Sequence, residues 1–250
     1  MSRKTKAFAQ RKKEEAKKRR LLSRLAAALM IVGVLLLGAG AMMKSYPAGE
    51  AALAAMKGAD VQERVTVFAS DNPRAGMIFY PGGLVQHEAY APLMRALADR
   101  GISCILTRMP LDLAVLRPDA ADGLKALLPQ IDAWIIGGHS LGGAMAADYA
   151  AKHPGAFDAL VLLGAYSTAD LSETDMQVLS VVGSEDGVLN REKYDACRKN
   201  YPPSFREFTI EGGCHAFFGD YGAQKGDGTP RISREMQTGM TASAIASLLQ

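Results

Sequence analysis

Short runs of apolar, often β-branched residues recur along the chain at Val65 to Ala69, Met77 to Tyr80, Ile102 to Thr107, Trp134 to Ile136, Leu160 to Leu163, Val178 to Val182 and Phe205 to Ile210. Stretches such as "AWIIGG" and "ALVLLGA" are apolar at consecutive positions, without alternation, as expected of strands covered on both faces. Between most of the runs the spacing turns helical, at Ala89 to Arg100, Asp119 to Leu128, Leu141 to Lys152, Arg191 to Asn200 and Ser233 to Leu249. Alternating strand and helix predicts an α/β fold, a mostly parallel sheet with helices on both faces. The strands' carboxyl ends should then carry the functional loops. No internal repeat follows residue 44, so one domain is expected over residues 61–250.

The first sixty residues follow a different pattern. Residues 1–24 hold eleven Lys and Arg against Glu14 and Glu15, a net of +9, so the rest of the chain carries −6 of the overall +3. Residues 25–43 contain no charge and are close to the ~20 apolar residues a spanning helix needs, which predicts a transmembrane segment behind a basic cytoplasmic tail. Residues 44–60 mix Ala, Gly and charge and read as a stalk or short leading helix. A basic cluster abutting an apolar span obeys the positive-inside rule, which argues against nucleic acid as a partner. The preferred reading is an uncleaved signal-anchor. Ala39-Gly40-Ala41 also fits a signal-peptidase site, leaving secretion as the alternative. Either way the globular part lies outside the cytoplasm.

At 48% hydrophobic content the chain can bury a sizeable core. It has three cysteines, and in an oxidising compartment an odd count leaves at least one thiol unpaired. Cys104, within an apolar run, is expected buried and free. For Cys197 and Cys214 two readings stand, a bridge between them or two unpaired thiols.

Candidate chemistry centres on Gly138-His139-Ser140-Leu141-Gly142, a G-x-S-x-G match. Alone the pattern is a weak signal. Here a buried strand runs into it and a helix leaves it, the strand-turn-helix of a nucleophile elbow. The glycines let strand and helix approach closely, and the following "LGGAMAADYAAKHPG" is lined with small residues up to Pro154-Gly155.

A serine hydroxyl needs a base, and the expected chain order is Ser, then Asp or Glu, then His. Asp186, in "VVGSEDGVL", follows a predicted strand, and its carboxylate is placed to hold an imidazole Nδ1 proton; Glu185 is the alternative acid. His215, in "IEGGCHAFFGDYG", is the only histidine after Asp186. His87, His139 and His153 read as structural. For the oxyanion hole, Leu141 N–H follows the nucleophile, and Gly83 or else Leu84, in "FYPGGLV", supplies the second donor.

With "FYPGGLV", "GGHSLGG", "VVGSEDGV" and "GGCHAFFGDYGAQKGDGTPRIS", residues 61–250 resemble the α/β-hydrolase fold family, in particular small cap-less domains of the dienelactone hydrolase and lipase type. The resemblance implies Ser140 as nucleophile, His215 as general base and Asp186 as its partner. One departure is Cys214, where the family pattern would place a polar residue such as Asn.

The function expected is hydrolysis of carboxylic esters through a Ser-His-Asp triad and an acyl-enzyme, without cofactor or metal; no H-E-x-x-H, paired-Cys or dinucleotide motif is present. Only about a dozen residues, Tyr166 to Gln177, stand where relatives insert a cap. An open site favours short-chain or accessible acyl groups over enclosed triglycerides. Rival readings are an acyltransferase or thioesterase with the same triad, and a membrane-tethered binding module without catalysis. A dehalogenase would call for an aspartate at Ser140.

Overall fold

The computed structural model describes residues 44–249. The expected basic tail at 1–24 and transmembrane segment at 25–43 lie outside them. Among the described residues no helix is long and apolar enough to cross a membrane.

The seven apolar runs, joined by an exposed two-residue edge strand that none of them announced, form a single eight-stranded sheet in the order β1-β2-β4-β3-β5-β6-β7-β8. Its strands are β1 (Asp60–Val61), β2 (Val65–Phe68), β3 (Ala75–Tyr80), β4 (Ile102–Thr107), β5 (Trp134–His139), β6 (Ala159–Leu163), β7 (Gln177–Gly183) and β8 (Arg206–Ile210). From β4 to β8 every pairing is parallel, while β1 pairs antiparallel with β2, and β2 with β4. Every residue of β3, β4, β5 and β6 is buried, as their unbroken apolar runs anticipate.

Successive side chains of a strand point to opposite faces, and the core divides accordingly. Met77 and Phe79 join one apolar cluster, Ile78 and Tyr80 the other. Helices α1 (Glu50–Ala55), α2 (Ala91–Ala98) and α5 (Arg234–Ala246) cover the first face. Helix α3 (Leu141–Lys152) covers the second through Ala146, Ala147 and Ala150. The short helix α4 (Arg191–Ala196) lies near β7, where the Tyr194 hydroxyl reaches Ser180 Oγ at 2.8 Å.

One expected helix does not form. Residues 119–128 make turns and a single 3-10 turn at Leu124–Leu127, because Gly123 sits at φ +72, a left-handed break that ends any α-helical path. The expected helix at 191–200 also divides, with a 3-10 turn at Arg198–Asn200 after α4.

Residues 44–60 pack on the domain from Ser45 onward. Tyr46 bridges Val85, Ala52 is fully buried, and Ala52 N–H donates to Asp220 Oδ2 at 2.9 Å. Cys104, Cys197 and Cys214 are all free thiols, so the bridge considered for Cys197 and Cys214 does not form; Cys214 is buried against α5, with its backbone held by Gln237.

Candidate active site

Strand β5 ends at His139 and α3 begins at Leu141, so the whole reversal falls on Ser140, which adopts φ 52 and ψ −122. For a residue with a Cβ this backbone costs free energy and persists only where the surroundings fix it. Its N–H donates to the Leu163 carbonyl of β6 at 2.9 Å. The neighbouring glycines make the turn possible by close approach. A Cβ on Gly142 would lie 2.2 Å from the Pro81 carbonyl oxygen, and one on Gly138 would lie 2.6 Å from that of Tyr80.

Asp186 and His215 meet from two loops, after β7 and after β8. His215 Nδ1 lies 2.8 Å from Asp186 Oδ2, and both side chains are buried. The other carboxylate oxygen, Oδ1, accepts the N–H groups of Val188 at 3.0 Å and Leu189 at 2.8 Å, which fixes the acid's orientation. Glu185 is drawn away to the surface by Arg231 at 2.6 Å, so of the two candidate acids only Asp186 engages the histidine. His215 Nε2 is buried and makes no hydrogen bond among the described residues.

The pair lies beside the elbow. The His215 ring stands 4.4 Å from that of His139, the residue before Ser140. Gly164 follows the strand residue that receives the Ser140 N–H, and a Cβ there would meet His215 Nδ1 at 2.9 Å and Asp186 Oδ2 at 3.0 Å. At φ +51 and without a side chain, Gly164 leaves the space in which the pair packs.

Of the three candidate oxyanion donors, one is removed. Leu84 N–H donates to the Asp112 carbonyl at 2.7 Å and is therefore engaged. Gly82 N–H is taken by the Tyr90 hydroxyl at 3.0 Å. Gly83 remains, and a Cβ on it would touch Leu141 Cδ2 at 2.9 Å, so Gly83 and Leu141 are neighbours across the gap. Leu141 opens α3, where the first N–H groups have no helical acceptor.

Four residues that sequence reasoning left out shape the site. Asp227 Oδ1 accepts from His215 N–H at 3.1 Å, Gly187 N–H at 3.2 Å and Gly228 N–H at 2.9 Å, while Oδ2 accepts from Ala216 N–H at 2.7 Å. It ties the histidine loop to the acid loop. The buried Gln237 of α5 brackets Cys214, accepting its N–H at 3.0 Å and donating to its carbonyl at 2.8 Å, and so supports the position where a polar residue was expected. Tyr90, its hydroxyl kept protonated by burial, shares a 2.8 Å hydrogen bond with His139 Nδ1. Tyr221 packs beside the same histidine, with ring centroids 6.4 Å apart. The Gly-Asp-Gly at 226–228 was the one sequence signal for Asp227.

His139 is held neutral, its pKa driven well below the ordinary histidine value by burial and secondarily by the nearby His215. Burial also pushes the Cys214 thiol up to about 12, with the Asp227 charge adding to the effect. The other two histidines lie away from the pair: His87 contacts Glu88 at 3.0 Å, and His153 caps α3 with Nδ1 2.8 Å from the Tyr149 carbonyl. Among the described residues no cluster of three or more His, Cys, Asp or Glu is placed to hold a metal ion.

The family model of the alpha/beta hydrolase family matches residues 76–239, and the chain belongs to that family. Its class is that of a hydrolase. Among curated proteins, no sequence matches the chain. Among solved structures it is similar to Est1E from Butyrivibrio proteoclasticus, at 15% identity and a TM-score of 0.55, covering 74% of this chain and 93% of that one. The esterase domain of a Rhodothermus marinus protein is comparable, at 14% identity and a TM-score of 0.55 over 73% of this chain and 90% of its own. A CIB-like hydrolase from Thermoplasma acidophilum matches at 14% identity and a TM-score of 0.53, over 76% of this chain and 100% of that one. At such identities the likeness is one of fold.

Proposed function

We propose that the chain is a serine hydrolase that cleaves carboxylic esters through an acyl-enzyme on Ser140. The observation that carries the reading is the buried Asp186–His215 hydrogen bond, its imidazole packed on His139, the residue before a strained strand-to-helix serine. Ser140 Oγ attacks the ester carbonyl carbon and its proton passes to His215 Nε2, the ring nitrogen left free by the bond at Nδ1. Asp186 holds the imidazole in the required tautomer and stabilises the imidazolium. The N–H groups of Leu141 and Gly83 face the developing oxyanion. The alcohol leaves with the proton from His215; water, deprotonated in turn by His215, attacks the acyl-serine and releases the carboxylic acid.

The loop from Gly164 to Met176, between β6 and β7, contains no helix or strand, which supports an open site and accessible acyl groups. We also read residues 25–43 as an uncleaved membrane anchor that holds the domain outside the cytoplasm, from the uncharged run and the basic tail before it.

The test is hydrolysis of p-nitrophenyl acetate by the full chain. Turnover by wild type and its loss in Ser140→Ala are expected; undiminished turnover in Ser140→Ala would refute the assignment.

A further inference from the structure

Leu111, Val115 and Leu116 are 56%, 48% and 51% exposed, and they lie within six residues of one another. They belong to the loop that follows β4, at the same carboxyl end of the sheet as the candidate site. The loop is firmly seated: Ala114 between them is fully buried, the Asp112 carbonyl accepts Leu84 N–H at 2.7 Å, and Leu113 lies beside Gly83. Leu111 and Asp112 both hold left-handed backbone, at φ 51 and φ 54. For Leu111 that strain presents an apolar side chain to solvent, so burial in the free domain does not offset it. Arg108 and Arg117 flank the segment.

The chain enters the domain at the neighbouring loop after β3, the one that carries Gly83 and is joined to the lip loop by the Leu84–Asp112 hydrogen bond. Tyr46 bridges Val85, its N–H donates to the Leu84 carbonyl at 2.7 Å, and its carbonyl accepts Gln86 N–H at 3.1 Å. In sequence only Lys44 and Ser45 separate Tyr46 from Met43, the last residue of the uncharged apolar run. Three residue steps of extended chain reach roughly 11 Å. On the anchor reading proposed above, that short covalent tether is all the chain that separates the end of the bilayer span from Tyr46.

We infer that Leu111, Val115 and Leu116 form a lip that enters the bilayer surface beside the candidate site, and that the ester taken is an amphiphilic one carried in that bilayer. The substrate half of this rests on the hydrolase reading above. Apolar side chains bordered by arginines suit an interface where acyl chains meet phosphates. An ester carbonyl of an amphiphile lies at that level while its chains stay in lipid, so an open site has to receive the carbonyl only.

The experiment uses the full chain reconstituted in phosphatidylcholine and phosphatidylglycerol vesicles. In a Cys197→Ser background, an environment-sensitive fluorophore is attached through Leu116→Cys, or through Lys152→Cys at the far end of α3. Lipid-borne doxyl groups are expected to quench the probe at 116 and to leave the probe at 152 unchanged. A chain that does not float with vesicles, or equal quenching or none at the two positions, overturns the docking surface. Quenching needs no turnover, so it decides docking even if the hydrolase reading fails. For the substrate half, Leu111→Ser, Val115→Ser and Leu116→Ser combined are expected to lower the rate on a vesicle-embedded fluorogenic diacyl lipid, relative to that on p-nitrophenyl acetate, by at least tenfold. An unchanged ratio overturns it.

Discussion

His215 and Asp186, twenty-nine residues apart in the chain, are joined by a buried 2.8 Å hydrogen bond through Nδ1, which leaves Nε2 as the ring nitrogen without a hydrogen-bond partner among the described residues. The geometry makes the carboxylate the determinant of the tautomer. Asp186→Asn would present an amide to Nδ1 and favour the wrong ring proton. A fall in kcat of about 10⁴-fold is expected, the scale that such a tautomer error carries. Steady-state kinetics with p-nitrophenyl acetate check it. Glu185→Gln, which changes a partly exposed pair with Arg231 and an acceptor for the Ser184 hydroxyl, should leave the rate little altered.

On the proposed mechanism Asp227 would act through the backbone. It is a positioning residue, collecting N–H groups from His215, Ala216 and Gly187. Asp227→Ala frees two loops whose relative placement sets the His215–Asp186 bond, and misplacement of about 1 Å costs on the order of 10²-fold. The expected signature is a fall in kcat and in the rate of labelling at Ser140, with KM nearly constant. Asp227→Asn keeps one acceptor oxygen and should recover part of the loss. A variant that loses thermal stability but keeps full kcat would make Asp227 purely structural.

Gly142 tests the elbow's geometry. A methyl group there would meet the Pro81 carbonyl oxygen at 2.2 Å and that of Tyr80 at 2.3 Å, both backbone atoms at the end of β3 with little freedom to move. Gly142→Ala should destabilise the domain by about 1–3 kcal/mol and displace the neighbouring Gly83 loop, so activity should fall further than stability explains. Denaturant unfolding and kcat measured on the same sample separate the two effects.

These cases show which parts of the molecule its sequence discloses. The central strands were legible because they are buried on both faces and coded by their own consecutive apolar residues, as in β4 and β6, whereas the exposed two-residue β1 has no apolar run to announce it. Ser140, Asp186 and His215 could be put forward from sequence because their positions follow predicted strand ends in a fixed order, and of these the Asp186–His215 contact is present in the structure. Asp227 was not, since it binds backbone groups of other loops and in sequence is one acid in a loop rich in glycine. Nor could the choice between Gly83 and Leu84 be made. It depends on the Asp112 carbonyl, brought to Leu84 by a segment after β4 for which the periodicity predicts no element. The false helix at 119–128 has another origin: apolar spacing was present, but the left-handed Gly123 overrides it.

His139 gives the protein a pH dependence of its own. Its folded-state pKa lies well below the ordinary value, chiefly through burial, so below about pH 6.5 the unfolded chain binds a proton that the folded chain resists. Stability is fully present above that pH and should fall as the pH drops, by up to about 1.4 kcal/mol per pH unit. His139→Gln removes the titration. Urea unfolding of wild type and variant between pH 7 and pH 5 should show the wild type losing stability more steeply, and parallel curves would contradict this.

The central claim is that Ser140 is an activated nucleophile. It is tested most directly by treating the purified full chain with a fluorophosphonate and locating the adduct by peptide mass spectrometry. A stoichiometric adduct is expected on the peptide containing Ser140, with labelling abolished in Ser140→Ala and strongly slowed in His215→Ala. A folded wild-type chain that takes up no probe, or takes it up at another residue, would contradict it.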